Sequence, residues 1–204
     1  DGIPWTIRSD QLVQRCASSP CEIFAQKAKS IAIGPDGSVY VVSDKDLLMR
    51  LDTDTKTFDV VRTPGHTPQS VAVGPNGYPW VVTKDTLVLA SKFFERDEQA
   101  DRLVAASTVG DTTAAVVDVT SESAFTFSKN ISFDTFATNL NTIEEFAVGQ
   151  NDDVYVYGQP QNQGAKQFLK FNSTTEKFEE VSLSFNQNLQ NIDVASDGTR
   201  LITQ

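Results

Sequence analysis

Few residues of this chain have the type and spacing for chemistry. The single histidine, His66, stands in Pro64-Gly65-His66-Thr67-Pro68. No cysteine or second histidine lies near it, so neither a nucleophile-base arrangement nor a histidine metal centre has partners to draw on. It reads as a solvated loop residue or a ligand contact. Cys16 and Cys21 flank Ala17-Ser18-Ser19-Pro20. Across a turn such a pair reaches disulfide distance, and with no third cysteine it cannot complete a zinc site. Asn130-Ile131-Ser132 and Asn172-Ser173-Thr174 match the N-glycosylation acceptor pattern. Asp52-Thr53-Asp54 and Asn151-Asp152-Asp153 offer calcium-type oxygens, but the glycine and glutamate of an EF-hand loop are missing. They read as turn formers, and no metal or cofactor is expected.

Composition narrows the partners. Seventeen Lys and Arg stand against 27 Asp and Glu, a net charge of -10 over 204 residues. Without a basic cluster, phosphate backbones and anionic membrane surfaces have little to attract them, so neither nucleic acid nor a membrane surface is expected as a partner. No apolar run approaches the roughly 18 residues of a membrane-spanning helix, and membrane insertion is not expected. The 39% hydrophobic content is that of a chain with a packed core.

The elements that would position these residues come from a repeat. Ile31-Ala32-Ile33-Gly34-Pro35-Asp36-Gly37 returns as Val71-Ala72-Val73-Gly74-Pro75-Asn76-Gly77. It returns again at Phe146-Ala147-Val148-Gly149 and Ile192-Asp193-Val194-Ala195, with a degenerate copy at Ser107-Thr108-Val109-Gly110. Units thus start near residues 31, 71, 107, 146 and 192. Residues 1–30 align as a unit lacking its first strand: Gly2-Ile3-Pro4-Trp5 matches Gly77-Tyr78-Pro79-Trp80. Each unit reads as four short strands, A to D, rich in Val, Ile, Tyr and Phe. A Gly-Pro-Asp-Gly turn joins A to B, because Pro presets φ and the closing Gly accepts a positive one.

A four-stranded antiparallel unit every ~40 residues predicts an all-β fold, a β-propeller of four-stranded antiparallel blades. One twisted blade buries neither face alone, whereas blades packed around an axis bury both. The count of units predicts six blades, with five as the alternative. Incomplete first and last blades predict that residues 1–204, one propeller domain, belong to a longer chain.

The string G-P-D-G-x-V-Y/W-x-V followed by L-x-R, best seen in Gly2–Arg15, Gly37–Leu51 and Gly77–Leu89, resembles the tectonin repeat. The resemblance implies a lectin-like propeller that binds carbohydrate. Strand B departs from the family's aromatic, with Tyr40 and Tyr155 where Trp5 and Trp80 stand elsewhere.

The expected function is a noncatalytic extracellular binding module, secreted, disulfide-bonded and glycosylated, whose partner is a glycan or an extracellular protein. A structural subunit of a larger extracellular assembly and a lactonase- or lyase-type propeller enzyme are the alternatives. In a meander the A–B and C–D turns share one face. The sequons Asn130 and Asn172 and the Cys16–Cys21 pair fall on C–D turns, which leaves the B–C and D–A loops free. The candidate ligand residues there are His66, Asp85, Lys84, Asp44 and Asp10. Trp5 and Trp80 in strand B serve blade packing or offer a sugar-stacking platform.

Overall fold

Short runs of β-branched and aromatic residues, punctuated by Gly, Pro, Asn and Asp, become sixteen strands among the residues described by the computed structural model. It describes residues 2–63, 65–93, 131–149, 153–162, 164–182, 191–194 and 200–203. All regular structure among these residues is strand.

Blade I holds β1 (Trp5–Ile7), β2 (Leu12–Arg15) and the first half of β3 (Glu22–Ile33). Blade II takes the second half of β3, then β4 (Val39–Ser43), β5 (Leu48–Asp52) and β6 (Thr57–Val60). β3 is therefore one strand doing two jobs. Its residues 22–27 pair with β2 and its residues 28–33 with β4, which fuses the two blades into one six-stranded sheet. Blade III holds β7 (Pro68–Val73), β8 (Pro79–Thr83), β9 (Leu87–Phe93) and β10 (Ile131–Ala137), and blade IV holds β11 (Leu140–Val148), β12 (Val154–Pro160), β13 (Gln167–Asn172) and β14 (Lys177–Glu180). A two-stranded sheet, β15 (Asn191–Val194) with β16 (Arg200–Thr203), follows.

The ladder of blade III corrects the sequence reading. Unit starts near 107 and 146 would place residues 133–136 in the unit starting near 107. β10 instead pairs along the whole of β9, from Ile131 opposite Phe93 to Ala137 opposite Leu87, and so closes the blade that opened at Pro68. The unit start near 107 itself lies outside the described residues. A period in sequence cannot say which C strand a D strand joins; only the hydrogen-bond ladder does.

The packing explains why strand B is buried at every position in blades II and III. Side chains alternate across a strand. Val39 and Val41 enter the core shared with blade I, while Tyr40 and Val42 enter the core shared with blade III. Blade III repeats this: Val81 faces blade II, and Trp80 and Val82 face blade IV. In blade IV, Val154 and Val156 face blade III, and Tyr155 and Tyr157 pack with Ile192 of the last hairpin. Blades II, III and IV thus each bury both faces between their neighbours. Full burial of each such side chain stabilises by about 1.5–3 kcal/mol, so the blade interfaces dominate the stability of the fold.

Cations on strand C answer the aromatics of strand B. Arg15 lies over Trp5, Arg50 over Tyr40 and Lys170 over Tyr155, with the charge 5.6–5.9 Å from the ring centre. In each case the two residues are direct cross-strand partners. Blade III has Ala90 opposite Trp80 instead.

Candidate functional site

Strand A carries a bulge at the same place in three blades. The register slips at Lys29 in β3, Gln69 in β7 and Glu144 in β11. Such an extra residue bends the strand and re-aims its side chain. Here each re-aimed residue bonds outside its own ladder. The Lys29 amine reaches Asp46, the Gln69 amide donates to the Ile143 carbonyl at 3.5 Å, and Glu144 pairs with Lys166 at 2.7 Å.

The Lys29 contact opens a network across blades II and III. Asp46 ends the B–C turn of blade II with φ 61°. Its second oxygen takes Lys84 of the blade III B–C loop at 2.5 Å. Partial burial, and then the like charge of Lys84, hold the Lys29 amine below the ordinary lysine value. One residue further on, Asp85 Oδ2 lies 3.1 Å from His66 Nδ1. The Thr83 hydroxyl first, and the His66 ring after it, hold the Asp85 carboxyl below the usual range.

Of the candidate residues, the structure brings His66, Lys84 and Asp85 together. Asp44 is exposed in the B–C turn of blade II, with its backbone N–H on the Lys27 carbonyl at 3.3 Å. Asp10 stays in its own turn, paired with Arg8 at 3.0 Å and accepting from the Leu12 N–H at 3.2 Å.

These loops border an open groove of about 610 Å³, lined by residues 45–48, 60–63, His66 and Thr67. Leu47 and Val60 there are each 42% exposed, unusual for large aliphatic side chains in this fold. Lys45 and Arg62 are exposed, and neither enters an ion pair among the described residues. The sequence reading missed Asp46, Leu47, Val60 and Arg62. Its one available signal was the turn register: Asp46 occupies the position that Gln11 and Thr86 hold in their own B–C turns, each with φ of 60–70°.

Trp80 is not a sugar platform. It is 8% exposed and sits among Phe136, at 6.5 Å between ring centres, and Phe171, at 5.7 Å. No ring face is left for a ligand, because blade III and blade IV close over it. Trp5 is half-buried against Phe24 at 5.2 Å, with Arg15 over its ring.

Cys16 and Cys21 form a disulfide across the C–D turn of blade I. Asn172 shows why a sequon stands in blade IV. Its Oδ1 accepts the N–H groups of Thr174 and Thr175, as Asp52 Oδ1 accepts those of Asp54 and Thr55 in blade II. The residue closes a turn whether or not it carries a glycan. Asn130 lies outside the described residues. Among the described residues no three His, Cys, Asp or Glu side chains gather as a metal site, and no helix is long and apolar enough to cross a membrane.

No family model matches the chain, and no curated protein matches it by sequence. Solved structures do. Virginiamycin B lyase from Staphylococcus aureus is 10% identical with a TM-score of 0.56, over 98% of this chain and 68% of that one. The Cps50 (Swd1) β-propeller domain from Myceliophteria thermophila is 10% identical with a TM-score of 0.56, over 89% of this chain and 55% of that one. Kuenenia stuttgartiensis hydrazine synthase is 11% identical with a TM-score of 0.59, over 93% of this chain and 48% of that one. The chain thus spans about half the length of two of these structures. At such identities the likeness is one of fold, and the fold is that of a β-propeller.

Proposed function

We propose that this propeller is a noncatalytic, secreted binding module whose B–C and D–A loops engage an extracellular protein or glycan. The observation that carries this reading is the groove between blades II and III. Polar groups at its rim are held in place: Asp46 by Lys29 of its own blade and by Lys84 of blade III, and His66 by Asp85 of blade III. Its aliphatic floor and two cations are left exposed. Rigid polar rims around apolar floors are what ligand sites share. The Cys16–Cys21 disulfide supports an oxidising compartment. The tectonin resemblance supports a recognition role, although the burial of Trp80 removes one of its two aromatic platforms and favours a protein partner. Among the described residues the ladders form blades I–IV and the β15–β16 hairpin, which supports the five-bladed alternative.

The test is to probe a glycan array and an extracellular-protein array with the tagged chain and with the Lys45→Glu/Arg62→Glu variant. A ligand captured by the parent and lost by the variant supports the groove. Capture indifferent to the variant, with hydrogen-exchange protection at the Asn172 turn, overturns it.

The His66–Asp85 hydrogen bond favours a second reading, a lyase-type enzyme with His66 as the base. Virginiamycin B lyase, among the similar folds, is an enzyme of that class by name. Turnover of a cyclic ester or lactone abolished by His66→Ala would establish it; no turnover over a panel of such substrates would dismiss it.

A further inference from the structure

The groove says what kind of ligand fits it. The protein is strongly acidic, yet the cations Lys45 and Arg62 stand at this rim without carboxylate partners among the described residues. An anion neutralises them with no ion pair to the described residues to break first. The apolar contacts on offer, Leu47 and Val60, are aliphatic, and apart from His66 no ring lines the groove. A sugar face therefore has nothing flat to stack on, whereas an aliphatic side chain has a matching surface. β6 adds a third feature. Among the described residues it is the edge strand of its six-stranded sheet, so one row of its peptide groups faces away from β5, and its last residue, Val60, brings that edge to the groove. An extended peptide alternates its side chains, so it can bond along an edge while setting one row of side chains in a groove.

We infer that the groove takes an extended acidic peptide segment of a partner protein, in which aliphatic residues meet Leu47 and Val60 and carboxylates meet Lys45 and Arg62. This rests on the binding-face reading above and names its partner chemistry.

The test is fluorescence anisotropy of the intact chain with a labelled octapeptide alternating leucine and glutamate. Its controls are the same peptide with lysine for glutamate, and an unlabelled oligogalacturonate as competitor. The leucine–glutamate peptide should bind and the lysine version should not. Lys45→Glu/Arg62→Glu should weaken binding about tenfold or more, as two reversed contacts of modest strength predict. The milder Lys45→Gln/Arg62→Gln variant, checked for fold by circular dichroism, should weaken it in the same direction. Leu47→Ser should weaken it with charge unchanged. Three results would overturn the inference: no binding of the acidic peptide, binding indifferent to these variants, or displacement by oligogalacturonate with the same variant sensitivity. If the peptide fails while an arrayed glycan still depends on Lys45 and Arg62, the peptide chemistry falls and the face survives; if every ligand ignores them, the face falls too.

Discussion

Replacing Tyr40 by Phe should make this protein more stable. Tyr40 sits on β4 with no exposed surface, in the core between blades II and III. Its ring meets Arg50 across the strand pair, a contact that phenylalanine keeps. Its hydroxyl has no hydrogen-bond partner among the described residues. A buried hydroxyl left unbonded costs about 1–3 kcal/mol, so removing it should return about 1 kcal/mol or more. Burial first, against a smaller opposing pull from Arg50, pushes the phenol up to about 12. The sign of the pH effect follows. Above the ordinary tyrosine value near 10 the unfolded chain gives up this proton while the folded one keeps it. Stability is therefore full below about pH 10 and falls as pH rises towards 12, by about tenfold in the folding equilibrium per unit and about 3 kcal/mol in all. The phenylalanine variant lacks this loss. Urea unfolding followed by fluorescence, with buried Trp80 as a reporter, should show the variant ahead at pH 7 and the gap widening between pH 10 and 12. A variant less stable by more than about 1 kcal/mol at pH 7, or a gap that stays constant to pH 12, would refute the reasoning.

Trp80→Ala should cost about 3–5 kcal/mol, because the ring joins blades III and IV through Phe136 and Phe171; thermal unfolding measures it, and a cost below 1 kcal/mol would show that the ring is not central to that interface. Gly158→Ala should be among the most damaging single-methyl changes, since a Cβ there runs into the Thr142 carbonyl beside the β11–β12 register shift; an unchanged melting temperature would contradict this. Glu176→Gly should stabilise by about 0.5–1 kcal/mol, because Glu176 holds φ 54° in an exposed C–D turn where glycine pays no steric penalty. Denaturant titration decides its sign.

The propeller was legible in the sequence because a blade is a local object. Its turns need Gly37 and Gly77 at φ of 84° and 76°, its strands need β-branched and aromatic runs, and both recur at a readable period. The disulfide was legible for the same reason, since Cys16 and Cys21 are five residues apart around one turn. His66 and Asp85 were singled out as neighbours on a face, because meander topology fixes which loops share an end. What tertiary structure decided lies between blades. The period could not assign Phe133–Phe136 to β9, because strand pairing is a non-local choice among similar edges. It could not tell a buried Trp80 from an exposed one, because the two positions look alike until blade IV packs against the ring. Nor could it find Asp46 joining Lys29 to Lys84, because that network needs a bulge to turn Lys29 and a second blade to bring Lys84 within reach.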